Sequence, residues 1–356
     1  MGYRTVVWTG GLEAPAMALC DEVIEHPFDH AEGIARFAEM ADVATVEFEN
    51  IPRTTLEAVA ARVTLRPGAH AIATCANREQ EKTFLRQQSI PCAPFWIVSS
   101  NEELAIAMAE LAGPGVLKTS AFGYDGKGQK KLTGGEDPQQ VWQEFSSPRA
   151  ILEGFIEFQA ELSVMIARNP AGQIRCHDPV ENHHRHHILD LTIAPAQVAP
   201  EIRQQAIEIA TRIVEAFDYV GIMGVEFFLT TEGTLLVNEM APRPHNSGHH
   251  TMDACVTSQF EQQLRAVCGQ PLGSTQLMTT AVMLNLLGDM WPGVEQSPDW
   301  SVIFEDASSA LHLYGKKRAI ERRKMGHATF LGDDAKARAE SAKASLLAKG
   351  RDFSAL

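Results

Sequence analysis

An apolar hairpin with acid in its middle sets the tightest limit on how this 356-residue chain can fold. The alternating runs 225–229 and 234–237 are joined by Thr231-Glu232-Gly233, a turn signal in which glycine supplies a positive φ. Glu226 lies in the first run and Asn238-Glu239 end the second, so antiparallel pairing brings three oxygen-bearing side chains together. Among Val225, Phe227, Leu229, Leu235, Leu236 and Val237 they would cost on the order of several kcal/mol if left unpaired. A hard cation relieves that cost: Mg²⁺ takes one or two carboxylates plus phosphate oxygens, which Glu226 and Glu239 supply beneath a triphosphate. A solvated hairpin face is the plainer reading of this feature taken alone.

The rest of the chain predicts a multi-domain α/β and α+β protein. Strand-like runs at 5–8, 43–48 and 62–65 alternate with helical ones at 33–40 and 54–61, as in a small parallel α/β unit. Asn77 and Gln80 open a helix that runs to Pro91, and Ser100 with Glu103 form a capping box for another ending at Leu111. A strand at 116–119 leads into a glycine-rich stretch. Ile202, Ala206, Ile209, Ile213 and Phe217 mark one amphipathic helix, and a further helix is expected over 257–268. Residues 279–330 read as short strands with turns, and 336–352 as a charged, Ala-rich helix.

Composition narrows the partners. A formal charge of −14 repels nucleic acid and anionic bilayers. The six cysteines form no C-x-x-C pair, and no 18-residue apolar run or signal peptide occurs, so a cytoplasmic protein is expected.

Four further stretches carry chemistry. Gly123, Gly126 and Gly128 sit between a strand and basic residues, where backbone N–H groups can approach a polyphosphate, with Lys118 and Lys127 supplying positive charge; a flexible hairpin tip is the alternative. The spacing matches neither a Walker loop nor a Rossmann turn. Directly after the acidic pair comes Ala241-Pro-Arg-Pro-His-Asn-Ser-Gly-His-His250, in which Arg243 suits a phosphate or carboxylate. The tract His183-His-Arg-His-His187 invites a metal reading, but consecutive strand residues face opposite ways, so a single nucleotide contact is favoured. Lys316-Lys-Arg318 and Arg322-Arg-Lys324 concentrate positive charge suited to a phosphate monoester.

Together, these stretches and the string Val-Asn-Glu-Met-Ala-Pro-Arg-Pro-His-Asn-Ser-Gly-His from Val237 closely resemble the 5-(carboxyamino)imidazole ribonucleotide synthase family, within the ATP-grasp superfamily of purine biosynthesis. The resemblance runs over nearly the whole chain. It implies an ATP-grasp fold with a truncated N-terminal parallel α/β domain at 1–76, an ATP-grasp domain at 77–270 whose lid spans about 92–155, a small β-rich C-terminal domain at 271–335 and a terminal helix at 336–356. It implies ATP held by Arg78, Lys118, Gly123, Tyr124, Asp125, Gly126, Lys127, Gly128, Gln129, Glu153, Gly154, Phe155, Ile156, Glu161, His184, Asn238 and Glu239. Mg²⁺, or Mn²⁺, would sit on Glu226 and Glu239. Tyr124, Asp125, Arg243, His245, Asn246, Ser247, Lys316, Arg323 and Lys324 would face substrate, with Arg243 steadying bicarbonate or carboxyphosphate. The implied reaction joins bicarbonate to 5-aminoimidazole ribonucleotide at the expense of ATP, in a homodimer.

Three departures qualify the resemblance. The chain opens near what looks like the family's second strand, so its first βα unit is expected to be missing. Phe122 stands where a second glycine is common, and Ile320-Glu321-Arg322 replaces R-P-G. The alternatives are another ATP-grasp carboxylase or ligase, or a catalytically impaired nucleotide-binding paralogue.

Overall fold

The computed structural model describes residues 1–121 and 128–350. Phe122, Gly123, Tyr124, Asp125, Gly126 and Lys127 lie outside the described residues, as does the expected end of the terminal helix beyond residue 350.

At the N-terminus, Val6–Trp8 pairs in parallel with Glu22–Ile24, and Val43–Ala44 with Thr64–Leu65. Helices Ala31–Met40 and Arg53–Ala60 connect them, so the parallel unit is present with shorter strands than 43–48 and 62–65. The chain leaves the ladder after Ala44 and carries Glu49 to Arg243, which ends the expected strand early. Glu22–Ile24 and the helix Ala69–Cys75 were not legible, the one being three residues long and the other starting right after the turn signal Arg66-Pro67-Gly68.

The core is an antiparallel nine-stranded sheet. From one edge it runs Leu235–Ala241, Gly221–Thr230, Phe158–Arg168, Val180–Arg185, Ile188–Ala194, Ala281–Leu287, Lys324–Leu331 and Ser309–Leu313, with Ile174–Cys176 added on Phe158–Arg168. Side chains alternate faces along a strand. Leu162, Val164 and Ile166 therefore pack with Ala206, Ile209 and Ile213 of the helix Pro200–Ala216, while Met165 and Ala167 meet Ala266 of Gln259–Val267 on the other side. Burying the first of these faces removes several large side chains from water, at roughly 1.5–3 kcal/mol each. The strands of 271–335 extend this same sheet, and Ala335, Ala339, Ala342 and Leu346 of the helix Ala335–Lys349 cover them.

A separate four-stranded sheet, Phe95–Val98, Ala150–Gly154, Gly115–Thr119 and Gln129–Leu132, carries the glycine-rich connection. Helices Asn101–Leu111 and Pro138–Phe145 pack on it. Ser100 caps the first of these through the N–H of Glu103, but the Glu103 carboxylate accepts from the N–H and Oγ of Ser99 instead of closing the box on Ser100. No described helix is long and apolar enough to cross a membrane.

Candidate active site

Glu226 and Glu239 are direct partners across the hairpin ladder. The register slips by one between Glu226 and Phe227, so Asn238 is the extra residue of a β-bulge beside the acidic pair. Glu226 is largely buried, with 15% of its side chain exposed, whereas Glu239 is open to solvent. Burial, reinforced by the charges of Glu239 and Glu161, pushes the Glu226 carboxyl up to about 7 against the opposing pull of His184 and Lys324. Like-charged oxygens gathered this closely suit a hard divalent cation.

The bulge is gripped from below by the helix Arg78–Gln87. Fully buried Lys82 donates to the carbonyls of Val237 (3.3 Å) and Asn238 (2.8 Å), and Glu81 Oε1 accepts from the N–H of Met240 (2.6 Å). Burial raises the Glu81 carboxyl to about 8, an effect Lys82 opposes and Glu239 reinforces. Lys82 also lies 3.9 Å from Glu153, which accepts from Lys118 at 3.0 Å. The two cations hold the buried Glu153 carboxyl below its usual range despite desolvation. One grip thus joins the four-stranded sheet to the hairpin that bears the acids.

Other expected ATP residues surround this joint. Asn77 caps its helix through the N–H of Gln80, and Arg78 donates to the carbonyl of Thr119 at the mouth of the glycine-rich connection. Gly128, at φ +68°, accepts from the Thr119 N–H, and an added Cβ would lie 2.6 Å from Thr119 Oγ1. Gln129 pairs with Lys118. Along 153–156, the N–H groups of Gly154 and Phe155 go to Pro94 and Pro114, Ile156 is half-buried, and exposed Phe155 lies 3.8 Å beneath the Lys131 ammonium. His184 Nδ1 is 3.1 Å from Glu161, whose hydrogen bond and charge raise the imidazole pKa although burial opposes them. His186 and His187, both at positive φ, form the two-residue turn between Val180–Arg185 and Ile188–Ala194. Most of the histidine tract is therefore hairpin chemistry.

The loop after the acidic pair folds back over the sheet. Arg243 forms a two-pronged pair with Glu49 of the N-terminal unit, NH2 to Oε1 being 3.0 Å. His245 Nε2 comes within 3.7 Å of Glu226, and its Nδ1 meets Ser247 Oγ at 2.9 Å. The Asn246 side-chain amide is buried with no hydrogen-bond partner among the described residues. Gly224 makes room for His245, since a Cβ there would meet the His245 Cβ at 2.7 Å. Lys316 donates to the carbonyl of Lys324 (2.6 Å), Arg323 donates to that of Arg318 (3.0 Å), and the charge of Lys324 reaches Glu226, His245 and Glu49. The basic cluster is thus brought to the acidic centre.

Glu49, Glu81, Lys82 and Gln259 escaped the sequence reading. Each sits in an ordinary helical or loop context, and its partner lies more than a dozen residues away along the chain, so no local spacing marks it.

A separate four-stranded sheet joined to an acidic hairpin is the arrangement of an ATP-grasp enzyme, and the ATP-grasp domain model matches residues 83–260. Models described as ribonucleotide synthetase preATP-grasp domain and phosphoribosylaminoimidazole carboxylase C-terminal domain match 1–76 and 281–341. The chain is 40% identical to N5-carboxyaminoimidazole ribonucleotide synthase of Bacillus subtilis (strain 168), over 93% of this chain and 86% of that protein. It superimposes on the ADP complex of the Staphylococcus aureus N5-carboxyaminoimidazole synthetase with a TM-score of 0.88 at 32% identity, covering 97% of this chain and 91% of that one. For the Aspergillus clavatus synthase in complex with ADP and 5-aminoimidazole ribonucleotide the values are 0.83 and 29%, covering 97% and 98%. The chain belongs to the N5-carboxyaminoimidazole ribonucleotide synthase family.

Proposed function

We propose a division of labour within this site for the family's reaction, the ATP-dependent carboxylation of 5-aminoimidazole ribonucleotide in purine biosynthesis. The observation that carries it is the pairing of Glu226 with Glu239 beside the joint that Lys82 and Glu153 make with the lid sheet. Glu226 and Glu239 hold Mg²⁺, or Mn²⁺, and Arg78, Lys118, Gly128, Gln129, Glu153, Gly154, Phe155, Ile156, Glu161, His184 and Asn238 surround the nucleotide, joined by Gly123, Tyr124, Asp125, Gly126 and Lys127. When bound, the divalent ion neutralises charge on the transferred phosphoryl group.

Bicarbonate is a poor electrophile, and phosphorylation to carboxyphosphate converts one of its oxygens into a good leaving group. Arg243 and His245 orient that anion; Tyr124, Asp125, Asn246, Lys316, Arg323 and Lys324 are assigned to the ribonucleotide and its phosphate, and Ser247, buried with its hydroxyl between Ser163 and His245, to holding His245 in place. Catalysis rests on positioning and charge neutralisation, with the lid excluding water from the labile intermediate. The reading places the chain in the cytoplasm as a homodimer, which the absence of membrane-length helices among the described residues leaves open.

The deciding experiment measures ADP release with 5-aminoimidazole ribonucleotide, with and without bicarbonate. Release that needs both supports the proposal; nucleotide binding without turnover favours an impaired paralogue, and turnover indifferent to bicarbonate favours another ATP-grasp ligase.

A further inference from the structure

Behind the acidic pair, buried polar side chains form one chain of hydrogen bonds across the sheet. Thr192 Oγ1 donates to Asn182 Oδ1 (3.1 Å), Asn182 Nδ2 to Ser163 Oγ (3.0 Å), and Ser163 Oγ to Ser247 Oγ (2.7 Å). Ser247 Oγ then meets His245 Nδ1 at 2.9 Å. Thr192, Asn182, Ser163 and Ser247 are all buried, so each must be satisfied by its neighbours. A hydroxyl has one proton to give. Ser163 receives from Asn182 and spends its proton on Ser247, which leaves the Ser247 proton for Nδ1.

A second donor points the same way. The backbone N–H of Ser247, which can only donate, lies 3.4 Å from the same Nδ1. A ring nitrogen that accepts carries no proton. With Nδ1 accepting from Ser247 Oγ and N–H, the ring is neutral and its one proton sits on Nε2. That is the nitrogen 3.7 Å from Glu226 Oε1. Gln259 locks the backbone: its Oε1 accepts from the His245 N–H (2.9 Å) and its Nε2 donates to the His245 carbonyl (2.8 Å).

We propose that Asn182, acting through Ser163 and Ser247, is a positioning residue that keeps His245 in the Nε2–H tautomer and so aims a neutral donor at Glu226. The orientation of Glu226 for a cation rests on the divalent-ion assignment made above. Residues that hold the neighbours of a metal ligand in place are worth about 10- to 100-fold in metal affinity or activity.

Asn182→Asp tests the direction of the chain, because a carboxylate only accepts. Ser163 must then donate to residue 182, Ser247 to Ser163, and the ring must supply Nδ1–H. We expect ¹⁵N NMR of the full chain labelled at histidine, with His245 assigned by its loss in His245→Gln, to show a bare Nδ1 and a protonated Nε2 in the parent protein. In Asn182→Asp the two should exchange, Mn²⁺ affinity should fall about 10-fold, and the KM for the ribonucleotide should stay unchanged. Ser163→Ala, which buries no charge, should give a mixture of tautomers, and it decides the matter alone if Asn182→Asp does not fold. An unchanged Nε2–H ring in both variants overturns the proposal. A parent protein with the Nε2–H ring but no Mn²⁺ binding that depends on Glu226 defeats the metal assignment and leaves the relay standing.

Discussion

The two halves of the site solve opposite electrostatic problems. On one side Glu226, Glu239, Glu161, Glu81 and Glu153 crowd together, and burial pushes Glu226 and Glu81 up to about 7 and 8. On the other, buried His177 and His250 and half-buried His249 are held neutral by desolvation, pushed down to about 3, 4 and 3, and Gln259 Nε2 meets His249 Nδ1 at 2.9 Å. The acidic half has too few cations of its own, and on the proposed assignment a ligand completes it. His249 and His250 are tied by hydrogen bonds to Gln259 and to the Ser247 carbonyl and hold the loop in place, whereas both ring nitrogens of His177 are buried without a partner among the described residues. A charge imbalance, more than the number of polar residues, separates a binding centre from a scaffold.

The sharpest way to break this contrast is Lys82→Met, which removes the cation the buried acids share and leaves them uncompensated. Urea unfolding should show a loss of about 3–5 kcal/mol; a loss below roughly 1 kcal/mol would mean that the acids are neutral or hydrated in place. Next comes Glu239→Gln, expected to cut turnover about 100-fold by weakening the divalent site while leaving the melting temperature of the ligand-free protein equal or higher. Unchanged turnover would refute the role.

pH should move the two halves in opposite directions. Raised carboxyls contribute stability that is present below about pH 4.5 and lost as pH climbs through about 7 for Glu226 and 8 for Glu81. Depressed histidines contribute stability present above about pH 6.5 and lost as pH falls toward 4 and 3. Thermal melts should therefore decline on both flanks, and Mg²⁺ with ATP should relieve only the alkaline one. Equal relief on both flanks would contradict the separation. The smallest effect belongs to Arg53→Ala, whose pair with Glu57 is exposed on both partners and should cost under about 1 kcal/mol by chemical denaturation.

Local sequence was enough for much of this molecule. The helices at Asn77 and Ser100, the amphipathic helix of Ile209 and Ile213 and the hairpin turning at Gly233 all follow from caps, period and turn residues within a few positions. The acidic pair was legible for the same reason, since hairpin strands pair by counting back from their turn. The bulge at Asn238 was not: the ladder slips there by one residue, where Lys82 and Glu81, some 155 residues earlier in the chain, take the neighbouring backbone groups.

The sequence by itself thus determined which side chains carry charge, where strands turn and which string marks the family. Only the tertiary structure decided that Arg243 meets Glu49, that Gln259 holds His245 and that Asn182 reaches Ser247 through Ser163. Spacing along a chain encodes periodic neighbours, whereas a hydrogen bond between distant segments depends on how sheets and helices pack, and no local pattern records that.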